Sequence, residues 1–315
     1  MADSLLRVPR LADTSDPREA EIVGAAGAVV VGIDGSEADG PVTDWAADEA
    51  RRLGAPLRMV HVIDPDVHMT SYEVLASGSP RLTQRLTEDA HHLLEAACTR
   101  ARARHPALDI AVSVPMGRAE GALVRLSDGA RRVVIGGPPS GRLERILGSV
   151  ALPVVAHAHC PVVVVPVGAS VLTPQRIVVG VDGSEGSGRA VAFALSTAEA
   201  CGAALTCVVV WTLEVEDGVV VTERSSPLWP AVERRYEELG HHTVDRLAAW
   251  YPTVEVSITV RHGPPAKAIL EAGADLNAGL VVVGSRGRGG FRGLLLGSVS
   301  RRIVEHAGRV VAIVH

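Results

Sequence analysis

Two hydrophobic periods alternate along this chain. Short runs of β-branched residues give way to longer stretches with apolar positions three and four apart, and the alternation then starts again. In the C-terminal half, residues 176–181 form an apolar β-branched run that predicts a buried strand, and 187–201 carry helical spacing. Residues 204–211 predict a second strand, 213–228 a polar loop, and 229–250, rich in Glu, Arg and Leu, a long helix. Residues 254–261 alternate, the period of a strand with one wetter face. Pro264 and Pro265 open a helix running to about 275, since proline suits a first turn. A fourth strand at 280–283, a glycine-rich loop, a helix at 298–306 and a fifth strand at 310–314 complete the half.

Residues 28–166 repeat this order, and the landmarks recur at a near-constant offset. Val-Gly-Ile-Asp-Gly-Ser at 31–36 returns as Val-Gly-Val-Asp-Gly-Ser at 179–184, an offset of 148. Leu147-Gly148-Ser149-Val150 returns as Leu296-Gly297-Ser298-Val299, and His157-Ala158 as His306-Ala307, both at 149. Gly117 matches Gly263 at 146. A duplication explains all four. The expected organisation is a mobile tail over 1–27, a first domain over 28–166, a linker over 167–174 and a second domain over 175–315. Strands alternating with helices predict a parallel sheet covered on both faces, and right-handed crossovers make it doubly wound. The fold class expected is therefore α/β, with two tandem doubly wound domains, each on a five-stranded parallel sheet.

Composition narrows the partners. With 47% hydrophobic and 3% aromatic residues, the cores are Val, Ala and Leu, as buried parallel strands and small-residue helices require. The net charge of −5 and the lack of a basic tail speak against a nucleic-acid partner. The first residues mix both charge signs without a long apolar run, unlike a signal peptide. Residues 150–173 contain no Asp, Glu, Lys or Arg, but Pro153, Pro161 and Pro166 would break a spanning helix. A helix end, a short strand and a linker fit that stretch, so no membrane association is expected. Cys98, Cys160, Cys201 and Cys207 form no CxxC pair and read as reduced thiols of a cytoplasmic chain. His157, His159 and Cys160 suit helix-end capping better than a metal site, which needs four well-spaced ligands. No Ser/His/Asp or Cys/His set stands out, so no catalytic residue is assigned.

The chemistry concentrates in Gly284-Ser285-Arg286-Gly287-Arg288-Gly289-Gly290, followed by Phe291 to Leu296 and then Gly297-Ser298-Val299. The segment begins where a strand ends and finishes where a helix begins, the place where open α/β sheets bind ligands. Glycines let backbone amides approach a ligand closely, successive amides form an anion nest, and Ser298 is expected to cap its helix beside the positive helix terminus. Arg286 and Arg288 either add charge or face solvent. The alternative is a surface loop that binds nothing. A P-loop needs Gly-Lys-Ser/Thr, and Lys267, the chain's one lysine, follows Ala266. A dinucleotide fold puts its glycines in the first turn rather than after the fourth strand. Asp34 and Asp182 end the first strands, suited to a ligand or magnesium, or to an Asx turn.

The arrangement resembles the universal stress protein family, over both copies. Gly284, Gly287, Gly297 and Ser298 match that family's ATP-binding pattern Gly-x2-Gly-x9-Gly-Ser/Thr without a gap. The resemblance implies that Gly180 and Asp182 lie near the nucleotide and that Val210 meets adenine through its backbone. It also implies that Gly263 borders the pocket, and that residues 284–290 with Gly297, Ser298 and Val299 hold the phosphates of ATP, with or without Mg2+. It implies stress or growth regulation through a protein partner, with at most slow hydrolysis, and pairing of domains through the fifth strands 162–165 and 310–314. The two copies could form that pair within one chain, and further association of two chains into a homodimer through edge strands is expected. The first copy departs from the pattern. Pro138 and Pro139 remove amide donors, Glu144 adds negative charge, and the loop is one residue shorter. Gly32, Asp34, Gly117, Gly148 and Ser149 remain, so weaker binding or none is expected there. Two other functions compete. A nucleotidyl-transfer ligase would carry an early Ser-Gly-Gly-x-Asp-Ser loop, which is not found, and a ligand-free interaction module would use the fold for dimerisation.

Overall fold

Runs such as Ile177-Val178-Val179 and Leu280-Val281-Val282 are buried on both faces, which is what turns them into inner strands of a parallel sheet. The computed structural model describes residues 25–64, 80–137, 149–216, 219–288 and 295–315. They fall into two compact units. One takes the residues up to Ile135 together with Ala158–Cys160, the other Gly136–His157 together with Pro161–His315.

The first unit runs β1 (Val29–Gly32), α1 (Asp39–Leu53), β2 (Leu57–Val60), α2 (Pro80–Arg104), β3 (Ile110–Ser113), α3 (Ala119–Leu126) and β4 (Arg132–Gly137). The strands are parallel in the order β4-β1-β2-β3. Charged pairs fasten α2 to α1: Arg100 donates to Asp44 at 2.6–2.7 Å and Arg104 to Asp48 at 2.7–2.8 Å. Burial alone would raise the pKa of Asp48, but hydrogen bonds from Arg104 and His105 outweigh it and hold the carboxyl below its ordinary value. The sequence placed 1–27 in a tail, yet Ala25 is fully buried and the Gly27 N–H donates to the Gly129 carbonyl at 2.8 Å.

The second unit holds α4 (Ala151–His157), β5 (Val162–Pro166), β6 (Arg176–Val181), α5 (Glu185–Cys201), β7 (Ala204–Trp211), β8 (Glu214–Glu216), β9 (Val219–Val221) and α6 (Trp229–Ala248). After these come β10 (Val256–His262), α7 (Pro265–Asp275), β11 (Leu280–Gly284), α8 (Ser298–His306) and β12 (Val310–Val314). Five parallel strands follow the order β10-β7-β6-β11-β12. α5 packs on α6 and α7 on α8. With right-handed crossovers, the leftward steps place the first pair on one face and the rightward steps place the second pair on the other. The order reverses between β6 and β11, so a crevice opens at their carboxyl ends.

Two details differ from the sequence reading. The segment expected as a polar loop contains β8 and β9, an antiparallel pair. The fifth strand of the first repeat, β5, is compact with the second unit, so the first unit keeps four parallel strands of its own. The fifth strands of the two copies pair within the chain, as the sequence reading allowed: β5 runs antiparallel to β12, with Val311 opposite Val164 and Ile313 opposite Val162. Since β11 occupies the other side of β12, the homodimer expected through edge strands finds no free edge on β12. The stretch 150–173 is a short helix and a strand, and no helix among the described residues is long and apolar enough to cross a membrane.

Candidate functional site

The crevice between β6 and β11 is a cavity of about 490 Å³. Its apolar wall comes from Val181, Val208, Val210, Pro265, Ile269 and Val283. Val208 and Val210 share one face of β7 by the two-residue period, and Ile269 stands one helical turn after Pro265. The floor exists because residue 180 is a glycine: a Cβ there would lie 2.7 Å from the Ile269 Cδ1 and 3.1 Å from the Val283 Cγ1.

The opposite wall is polar and comes from the segment after β11. Its base is closed by hydrogen bonds. The Ser285 N–H donates to the Val314 carbonyl at 2.7 Å, and the Ser285 carbonyl accepts from the Gly297 N–H and the Ser300 Oγ, each at 2.8 Å. Helix α8 thereby starts at the cavity, with Ser298, Val299 and Ser300 in its lining. The first amides of a helix have no intrahelical acceptor, and the helix terminus carries partial positive charge. Ser298 was expected to cap α8, but the N-cap is Gly297, without a side-chain cap. Ser298 is the first helical residue and lines the cavity. Arg286 and Arg288 also line this wall, and among the described residues neither guanidinium has a hydrogen-bond or ion-pair partner.

Asp182 joins the two walls. Its Oδ1 accepts the Ser184 N–H at 2.9 Å, an Asx turn, while its Oδ2 accepts the Arg288 N–H at 2.8 Å, across 106 residues. Burial would raise its pKa, but hydrogen bonds from the Ser184 hydroxyl and amide, the Arg288 amide and the Ser187 hydroxyl outweigh that and lower it. The first turn of α5 lies against the same loop. Ser184 caps α5 by accepting the Ser187 N–H at 3.1 Å, a Cβ on Gly284 would lie 2.9 Å from the Gly186 backbone, and one on Gly186 would lie 2.6 Å from the Arg286 carbonyl oxygen.

Of the residues singled out by sequence, Gly180, Asp182, Val210, Gly284, Arg286, Gly287, Arg288, Gly297, Ser298 and Val299 come together in this lining. Ser285 is buried behind it, and Gly263 is not part of it: at φ 126° it donates its N–H to the Trp211 carbonyl at 2.9 Å. Gly289 and Gly290 lie outside the described residues. Sequence reasoning missed Ser187, Ile269, Pro265, Val208 and Gly186. The exchange of Ala38 for Gly186 at the repeat offset was the available signal for the last.

The corresponding end of β1 in the first unit looks different. Asp34 makes the same Asx turn, accepting the Ser36 N–H at 3.0 Å. The amides of Asp34 and Gly35 donate to the Asp39 carboxylate at 3.1 and 2.8 Å. Asp39 stands where the second repeat has Ser187, so a resident carboxylate takes amides at this strand end. Burial pushes the Asp39 pKa up, despite those amides. Gly32 packs 3.4 Å from Leu123, measured from an added Cβ, and Gly117 donates to the Ile63 carbonyl at 2.9 Å. Ser149 is exposed, and Pro138, Pro139, Glu144 and Gly148 lie outside the described residues. No group of three or more His, Cys, Asp or Glu suited to a metal ion occurs among the described residues.

Residues 27–166 and 173–315 each match the Universal stress protein family. The universal stress protein Rv2623 of Mycobacterium tuberculosis is 36% identical over 292 residues, covering 89% of this chain and 93% of that protein. A second one from the same organism, Rv2005c, is 35% identical over 297 residues, covering 91% of this chain and 96% of that protein. The crystal structure of a universal stress protein from Archaeoglobus fulgidus is similar in fold, with a TM-score of 0.64 at 20% identity, covering 90% of this chain and 97% of that one.

Proposed function

The chain belongs to the universal stress protein family, with two copies of its domain in tandem, and we propose from this that its second repeat binds ATP and makes the protein a nucleotide-dependent regulator of a stress or growth response. The observation that carries the reading is the division of one cavity into an apolar wall and a wall built from the end of β11, Arg286, Arg288 and the first residues of α8. A purine and ribose need the first, and a polyphosphate needs the second. The cavity volume of about 490 Å³ falls among small-molecule sites, which run from roughly 300 to 1,000 Å³.

Asp182 is the one carboxylate in the lining, and both its oxygens already accept amide hydrogens. Those bonds hold its pKa below the ordinary value, which makes it a weak general base, so slow hydrolysis at most is expected. A bound Mg2+ would draw its ligands chiefly from the phosphates and water. Regulation through a protein partner belongs to the same proposal, and a homodimer would use a surface other than β12. For the first repeat a ligand-free role has the better support, because Asp39 already takes the amides of Asp34 and Gly35.

Titration calorimetry on the whole chain tests the proposal. One ATP per chain is expected, and Gly284→Val and Gly297→Val, placed where an added Cβ meets backbone at 2.9 and 3.2 Å, abolish the heat while circular dichroism stays native. Unchanged ATP binding in both variants would show that the loop assignment is wrong.

A further inference from the structure

We infer that Asp182 is a positioning residue, whose carboxylate pins the glycine loop to the end of β6, and that residue 287 is a glycine because that carboxylate fills the space its side chain would need. The consequence for ATP affinity rests on the nucleotide reading above. The clamp itself does not.

Three observations meet here. First, both carboxylate oxygens are engaged: Oδ1 holds the Ser184 N–H and Oδ2 holds the Arg288 N–H, at 2.9 and 2.8 Å. A nucleotide or a magnesium ion at Asp182 would share its oxygens with these two bonds. Second, a Cβ built on Gly287 collides with the Asp182 Oδ2, and no other group lies closer to it. Within the protein itself, the glycine is required by a side chain 105 positions earlier in the chain. Third, charge has to be reconciled. A free carboxylate facing a polyphosphate repels it, whereas one with an amide donor on each oxygen is partly screened and organises the wall that carries Arg286 and Arg288. The Arg288 amide is then spent on the clamp. The loop's contribution to an anion passes to Arg286 and to the start of α8.

The first repeat is consistent with this pairing. Asp34 keeps its Asx turn with Ser36. The offset of 148 that carries Asp34 to Asp182 puts Pro139 opposite Gly287, so the partner glycine is gone together with the intact loop.

The experiment is a four-protein cycle on the full chain: wild type, Asp182→Ala, Gly287→Ala and the double variant. Each is measured for thermal stability without nucleotide, and for ATP affinity in Mg2+ and in EDTA. Asp182→Ala loses a charge-assisted hydrogen bond and weakens ATP by about tenfold, equally in both buffers. Gly287→Ala, forced against the carboxylate, lowers both the melting temperature and the affinity. In the double variant the alanine at 287 has lost its obstacle, so it is no worse than Asp182→Ala alone. Losses that simply multiply would overturn the clamp, and so would an Asp182→Ala defect present in Mg2+ but absent in EDTA, the mark of a metal ligand. If the wild type binds no ATP, the nucleotide reading fails, and the stability cycle still decides the clamp.

Discussion

Residue 207 carries a thiol in the middle of β7 with none of its surface exposed, and burial pushes its pKa up to about 12. Cys160 is raised to about 12 by the same cause, and burial lifts Cys98 as well. The thiolate is the nucleophile, so a raised pKa lowers the reactive fraction at any neutral or mildly alkaline pH. Cys201, at the end of α5, is partly exposed. Intact-mass analysis after iodoacetamide treatment of the native protein at pH 8 is therefore expected to show one adduct, mapping to Cys201. Three further adducts follow only in denaturant. At this scale the sequence was informative about residue type and less so about role. Asp182 was legible as a strand-end acid, but its partner is the Arg288 amide 106 positions away, and no local spacing encodes that bond.

Helices settle against the sheet at defined glycines, and two of them predict opposite responses to the same change. Gly240 brings α6 onto β7 and β10: a Cβ there would lie 2.8 Å from the Ile258 Cγ2 and 3.1 Å from the Val209 Cγ2. Alanine improves helix propensity by about 1 kcal/mol, while overpacking a buried contact costs roughly 1–3 kcal/mol. Both neighbours are stiff β-branched side chains, so Gly240→Ala is expected to lower stability by about 1 kcal/mol. Gly188 in α5 has nothing within 4 Å of an added Cβ. There the propensity gain stands alone, and Gly188→Ala raises stability by up to about 1 kcal/mol in urea denaturation. The strongly periodic elements were readable because burial and period agree, as in β6 and β11. The β8–β9 pair was not. Its strands are three residues each, and what holds them is tertiary: Glu214 accepts from the Arg235 guanidinium and the Tyr236 hydroxyl on α6. The start of α8 was misread for a related reason. Gly-Ser before a helix suggests a serine cap, whereas the Gly297 amide is drawn back to the Ser285 carbonyl and moves the cap one residue earlier.

Over the whole molecule, the recurrence of Val-Gly-x-Asp-Gly-Ser and Leu-Gly-Ser-Val exposed the tandem architecture, because duplicated folds keep their turn residues even where their ligand chemistry diverges. What recurrence cannot show is that a repeat in sequence and a compact body in space need not share an end. The strand preceding the linker is read with the first copy and folds with the second. This has a practical consequence for dissecting the protein. A fragment beginning at residue 173 would follow the repeat and shed β5, baring a run of Val, Ala and Ile whose backbone groups then lack partners on one side. Size-exclusion chromatography should find that shorter piece self-associating or aggregating more than one begun at residue 161, which keeps β5 on β12.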